Sequence, residues 1–236
     1  MPKILFIHHS TGGNLIREGK LRDEIKNRDS SVQFWDHNYN LFPLFTSFLA
    51  NHTHLCGLTD NTGNLTGRDY NIVLSNNSPK EYADIFSRDP ENFTLKSILS
   101  YDVIAFKNCY PTTKIASDRQ LEEDIFYYEK IRVSLKKYPE KQFVILTPPP
   151  ERKEATNREN AKRAQKLVNW MNSKEFLQEN NNIHVFDFFS QLANANGFLR
   201  EEYTRLFPWD SHPNKKASRI VSPIFAEYLV KITKDC

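Results

Sequence analysis

Cysteine is scarce in this chain, with only Cys56, Cys109 and Cys236 among 236 residues. They are odd in number, far apart and without a Cys-x-x-Cys spacing. This excludes a disulfide framework and a cysteine zinc site and points to a reducing compartment. Long apolar runs are missing as well. The N-terminal run at residues 4–7 is too short for a signal-peptide core or a bilayer span, and no later segment spans a bilayer, so the expectation is a cytoplasmic protein with no membrane partner. Excess charge of one sign is also absent: 32 Lys and Arg stand against 29 Asp and Glu, a net +3, with the signs mixed along the chain. That excludes a dedicated nucleic-acid binder. What the chain does have is bulk. Its hydrophobic fraction is 39%, but 17 Phe, 10 Tyr and 3 Trp supply large side chains for a core, which rules out global disorder. The length fits a single domain over 1–236.

Five short runs rich in β-branched and aromatic residues, at 3–8, 32–36, 102–107, 142–147 and 183–187, alternate with segments of helical period. Most are apolar on consecutive positions, as strands covered on both faces are, so the pattern predicts an α/β fold with a parallel sheet and crossover helices. Ser117 with Gln120 opens a capping box ahead of the apolar face Leu121, Ile125, Tyr128, Ile131 and Leu135, which Pro139 closes. Thr156 with Glu159 repeats the box for a helix reaching residue 178. Asn214 caps a last helix with an expected buried stripe of Ala217, Ile220, Val221, Ile224, Tyr228 and Ile232, and Pro223 as a source of a kink. Residues 37–92 hold neither period and are dense in Asn, Thr and Ser, which reads as a long irregular insertion, either a substrate lid or a decoration. The aromatics in and near it, including Trp35, Tyr39, Phe42, Phe45 and Phe48, suit a sugar face, an acyl chain or a core.

In an open parallel sheet the ligand crevice lies beyond the carboxyl ends of the strands. The first run delivers His8-His9-Ser10-Thr11-Gly12-Gly13, where two of the 7 glycines stand side by side. Residues without a Cβ allow a tight strand-to-helix turn, leave amides free to face an anion and present the Ser10 hydroxyl at the rim. The same run also reads as a plain turn with Ser10 as the helix cap. The third run ends in Phe106-Lys107-Asn108-Cys109-Tyr110-Pro111, placing Asn108 at the same rim as a site amide or a turn former. The fourth ends in Thr147-Pro148-Pro149-Pro150, a rigid wall. Near the C-terminus, Trp209-Asp210-Ser211-His212-Pro213-Asn214 sets a carboxylate and an imidazole two residues apart before a helix that Asn214 already caps.

These residues, in this order, resemble the first, third and fifth sequence blocks of the SGNH (GDSL-type) hydrolase superfamily. The chain departs from the family pattern in carrying His8-His9-Ser10 for Gly-Asp-Ser, Phe106-Lys107-Asn108-Cys109 for Gly-x-Asn-Asp, and Asp-x-His for Asp-x-x-His. It also has no glycine after the second run, where Asp36-His37-Asn38-Tyr39-Asn40 stands. The resemblance implies an α/β fold, a three-layer α/β/α sandwich with a five-stranded parallel sheet in the flavodoxin-like order 2-1-3-4-5. It further implies a serine-dependent ester hydrolase or acyl transferase acting on a small acyl ester, including one carried by a glycan, with no cofactor and no metal. Ser10 is then the nucleophile, His212 the general base and Asp210 the acid that orients it. Asn108 and the Ser10 amide form the oxyanion hole.

Two other readings stay open. His8, His9, Asp36, His37, Asp210 and His212 supply nitrogen and oxygen donors at one sheet edge, a set suited to a metal-dependent hydrolase. The departures from the family pattern also fit a catalytically inactive sandwich that binds a glycan or protein. His54 and His184 read as structural, and Lys136-Lys137 and Lys215-Lys216 as solvated helix faces.

Overall fold

The computed structural model describes residues 1–41, 57–178 and 180–235. Phe42, Phe45, Phe48, His54, Cys56 and Cys236 lie outside the described residues. The described chain runs β1 (Lys3–His8), α1 (Thr11–Arg17), α2 (Leu21–Arg28), β2 (Gln33–Asn38), β3 (Asn40–Leu41), β4 (Gly57–Thr59), β5 (Val73–Leu74), α3 (Lys80–Phe86), α4 (Phe93–Ile98), β6 (Val103–Lys107), α5 (Asp118–Leu135), β7 (Gln142–Leu146), α6 (Arg158–Met171), α7 (Lys174–Leu177), β8 (Ile183–Phe186), α8 (Phe188–Leu192) and α9 (Lys215–Ile232).

The five apolar runs pair in parallel as β2-β1-β6-β7-β8, which in order of appearance is 2-1-3-4-5. The sheet has six strands rather than five, because β4 adds antiparallel to the β2 edge, opposing Asp36, His37 and Asn38. Three residues are too few for a strand period to show in sequence. β2 itself runs two residues past its expected end, through His37 and Asn38, since β1 on one side and β4 on the other give those residues backbone partners. Within 37–92, β3 and β5 pair as a small separate ribbon, and α3 buries Tyr82, Ala83, Ile85 and Phe86. The segment expected to be irregular is therefore partly built from elements too short to carry a period.

Side chains alternate across the sheet. Leu5, Ile7, Ile104, Phe106, Phe143 and Ile145 face one core, covered by α3, α4, α5, α6 and α7. Ile4, Phe6, Val103, Ala105, Val144 and Leu146 face the other, covered by α1, α2, α8 and α9. Phe225 of α9 shows how the second layer is held: its ring packs 5.5 Å from Phe6 and 4.7 Å from Phe186. Burying such a ring stabilises by about 1.5–3 kcal/mol.

The helices largely begin where expected. Ser117 Oγ accepts from the Gln120 amide at 3.1 Å, and Gln120 Oε1 reaches back to the Ala116 amide at 2.9 Å. For α6 the cap is Asn157 rather than Thr156, its side chain accepting from the Asn160 amide at 2.9 Å. α6 stops at Met171 instead of reaching residue 178, because Ser173 caps the separate helix α7 through the Phe176 amide.

On α9 the buried row is Ala217, Val221, Phe225 and Leu229, whereas Ile220 and Ile224 are each 42% exposed. The adjoining row is Ser218 and Ser222, and small residues are needed there because α1 crosses closely. Ser222 Oγ donates to Leu15 O at 2.9 Å, and a Cβ on Gly19 would collide with Ser222 Oγ and the Ser218 carbonyl. The helix continues through Pro223; Arg219, whose carbonyl the proline cannot bond, is exposed.

Candidate active site

β1 ends at His8 and α1 begins at Thr11. The short connection is possible because Gly12 has no side chain: a Cβ there would lie 2.5 Å from His8 Cβ and 3.1 Å from Phe6 Cζ. Close packing of the helix start onto its own strand forces Ser10 to φ 28°, ψ −85°. That conformation costs an L-residue about 1–3 kcal/mol. Ser10 is not acting as a helix cap, since its side chain makes no capping hydrogen bond. Its Oγ lies 3.0 Å from Cys109 Sγ, and among the described residues it makes no hydrogen bond to His212.

Cys109 comes from the loop after β6. Preceding it, Lys107 is fully buried and Asn108 is 2% exposed. Asn108 Nδ2 donates to Ser78 O at 2.9 Å, and its Oδ1 accepts from Tyr128 OH at 3.3 Å, so one of its two amide hydrogens is committed to the framework. After Cys109, the Tyr110 ring stands edge-on to the His212 ring with centroids 4.9 Å apart. Burial, helped by Cys109, Asp210 and Glu151, pushes the Tyr110 hydroxyl up to about 12. One loop thus touches both Ser10 and His212.

The Asp-x-His turn brings its two side chains together: His212 Nδ1 is 2.6 Å from Asp210 Oδ1, which also accepts from the His212 amide at 2.9 Å. The turn is clamped from several sides. Ser211 is fully buried and accepts from the Arg152 amide at 3.2 Å, while Arg205 donates to Pro213 O at 2.9 Å and pairs with Glu18 at 2.8 Å. Partial burial works against ionisation of Asp210, but the His212 amide and ring, with Arg205 nearby, hold its carboxyl below the usual range. The acids at the ends of the second and fifth sequence runs are engaged elsewhere. Asp187 caps α8 and bonds Thr147, and Asp36 pairs with His8 and Arg22.

The remaining histidines of the metal reading are dispersed. His8 Nε2 is 3.0 Å from Asp36 Oδ2 beneath the sheet edge. His9, turned to the opposite face, packs 5.3 Å from Tyr39, and burial, then Lys107, His8, His212 and Arg17, lowers it to about 4. His37 is fully buried, accepts from the Tyr70 amide at 3.0 Å and lies 3.3 Å from Asp69. Among the described residues no three His, Cys, Asp or Glu side chains gather to hold a metal ion.

Sequence reasoning missed several residues here. The family pattern gives Cys109 and Lys107 no role, although a lysine closing an otherwise apolar strand is a visible signal. Glu151, beside the proline wall, is buried and raised to about 7 by that burial. Next to Asp210, Phe207 and Trp209 are 56% and 72% exposed and stack with centroids 5.5 Å apart. Arg152, which donates to Phe207 O at 2.7 Å, lines a cavity of about 300 Å³ with Lys153, Glu154, Asn194 and Glu201.

No protein-family model matches the chain, and no curated protein sequence matches it. Solved structures do. A carbohydrate esterase family 3 structure from Talaromyces cellulolyticus matches with TM-score 0.55 at 13% identity, covering 100% of both chains. A structure described as a platelet activating factor from Streptococcus pneumonia matches with TM-score 0.53 at 15% identity, over 97% of this chain and 84% of that one. One described as an acylhydrolase from Bacteroides fragilis matches with TM-score 0.52 at 12% identity, over 98% and 88%. At these identities the likeness establishes the fold, and that fold is the one the SGNH resemblance implies.

Proposed function

We propose that the chain is a serine-dependent ester hydrolase or acyl transferase of SGNH type. The observation that carries the reading is a rim serine on a strained strand-to-helix turn that does not cap its helix. It shares its loop partner with a histidine held by an aspartate at 2.6 Å. In the reaction His212 takes the proton of Ser10 Oγ as Oγ attacks the ester carbonyl, and Asp210 fixes the imidazole tautomer. The negative oxygen of the tetrahedral intermediate meets the Ser10 amide and the free amide hydrogen of Asn108. Collapse expels the alcohol, protonated by His212, and leaves an acyl-Ser10 ester. Water or a second alcohol, deprotonated by His212, then releases the acyl group.

The substrate class proposed is a small acyl ester, including one carried by a sugar. The stacked, exposed Phe207 and Trp209 beside Asp210, with Arg152 donating to Phe207 O, support it, since a flat aromatic pair beside polar groups suits a sugar ring. No step calls for a cofactor, metal or nucleic acid. The reading is tested by treating the protein with a fluorophosphonate probe and mapping the adduct by mass spectrometry. Labelling at Ser10, absent in Ser10→Ala, is the expected result. A folded protein that does not label, and cleaves no p-nitrophenyl ester or acetylated sugar, is a binding domain instead.

A further inference from the structure

Cys109 is 1% exposed, yet its sulfur is surrounded by polar groups. Ser10 Oγ lies at 3.0 Å and Thr11 Oγ1 at 3.5 Å, both at the start of α1. Lys107, two residues earlier at the end of β6, is fully buried, and Cys109 is the polar group its side chain meets. Lys107 and Cys109 are close enough that each alters the other's ionisation. Burial alone raises a thiol, but here the lysine and the hydrogen bonds from Ser10 and Thr11 outweigh it and hold Cys109 below its ordinary value. Burial lowers the Lys107 amine as well, with Cys109 working against that shift, so lysine and sulfur are each other's polar neighbour at the end of an apolar strand.

We propose that Cys109 is a positioning residue for Ser10: its thiol, anchored between the first turn of α1 and the Lys107 side chain, donates to Ser10 Oγ and so holds the oxygen in place while leaving the hydroxyl proton for His212. The inference rests on the reading of Ser10 as nucleophile. A serine hydroxyl ordinarily moves among three staggered wells, and the Cys109 contact is the hydrogen bond that selects one of them here. The same loop then fixes the other half of the geometry, since Tyr110 packs on the His212 ring. Displacing the sulfur therefore loosens Ser10 without touching the groups that bind substrate.

The test uses the full chain carrying Cys56→Ser and Cys236→Ser, so that Cys109 is its one thiol. Two readouts are taken: the Ser10 labelling rate with a fluorophosphonate together with kcat and KM for p-nitrophenyl acetate, and the pH titration of thiolate absorbance. Cys109→Ala is expected to lower kcat and labelling about tenfold, the worth of one strong hydrogen bond, with KM little changed. Cys109→Ser, which keeps a donor in place, is expected to recover to within about threefold of the parent. Ser10→Ala and Lys107→Met are each expected to raise the Cys109 pKa, by about half a unit or more, through loss of a group that stabilises the thiolate.

A folded Cys109→Ala protein at the parent rate, or a thiol titration unmoved by Ser10→Ala, overturns the proposal. A parent that does not label at all overturns the hydrolase reading instead. The titration in Ser10→Ala then still decides whether the Ser10–Cys109 contact exists.

Discussion

Two of the histidine–aspartate pairs among the described residues differ in a telling way, one under the sheet edge and one on it. His8 Nε2 lies 3.0 Å from Asp36 Oδ2, with the side chains 4% and 7% exposed, and Arg22 closes on the second carboxylate oxygen. His212 Nδ1 lies 2.6 Å from Asp210 Oδ1, with the side chains 28% and 24% exposed. In the first pair burial drives the imidazole pKa down, so at neutral pH it is an uncharged hydrogen-bonding partner, and the charge of Asp36 is met by the guanidinium. Arg22 goes on to bond Phe34 O and Asp60 O, which ties α2 to β2 and to the residues after β4. In the second pair Nδ1 is engaged, and among the described residues Nε2 makes no hydrogen bond. Residue types alone do not separate a structural pair from a catalytic one. Burial, and whether a third partner saturates the carboxylate, does.

The largest expected effect on this comparison is at the rim. His212→Ala, like Ser10→Ala, should lower kcat/KM at least ~10⁴-fold while leaving Tm close to the parent, because neither side chain carries the core. Esterase kinetics beside a thermal melt check this; a folded His212→Ala protein with most of its activity would return the two pairs to equal standing.

Asp210→Asn comes next. With the acceptor for Nδ1–H lost, the imidazole takes the wrong tautomer, and kcat should drop by ~10²–10⁴-fold with KM little changed. A loss confined to KM would make Asp210 a substrate contact.

Asp36→Asn should behave the opposite way. Neutralising the carboxylate leaves the part-buried Arg22 without its counter-ion, held by Phe34 O and Asp60 O, which costs about 1–3 kcal/mol of stability, readable as a lower denaturant midpoint. Activity per folded molecule should remain.

The smallest effect concerns a buried carboxyl with no such partner. Asp124 on α5 is 2% exposed, its Oδ2 has no hydrogen-bond partner, and burial raises its pKa to about 7 from 3.8. Stability from its protonated form is full below the unfolded value and is lost as pH rises from there to about 7. Asp124→Asn should therefore raise Tm by roughly 2–6 °C near pH 8, with the gain shrinking toward about pH 4. An equal gain at both pH values would show that ionisation is not the cause.

How much of this was legible in the sequence follows from what each feature depends on. The five parallel strands and the Ser117 and Asn214 caps are local patterns, and reading them from residue order succeeded. So did the expectation that Asp210 and His212 meet, because Pro213 and Asn214 restrict a short turn. The α9 stripe failed at Ile220 and Ile224 because the end of α1 and the turn at Gly19, distant in sequence, pack on the Ser218 and Ser222 row instead. The role of Cys109 was hidden for the same reason: its contact with Ser10 spans 99 residues and depends on the register of β1 against β6. His8 looked as ligand-like as His212 until strand alternation placed it under the sheet with Asp36.

The central claim is that the part-exposed pair, and not the buried one, serves Ser10. The most direct measurement is the rate at which a fluorophosphonate labels Ser10 in the parent, Asp210→Asn and Asp36→Asn proteins, each matched for folded fraction by circular dichroism. The account predicts labelling at Ser10 in the parent, an unchanged rate in Asp36→Asn and a large fall in Asp210→Asn. A parent-like rate in Asp210→Asn together with a large fall in folded Asp36→Asn would contradict it.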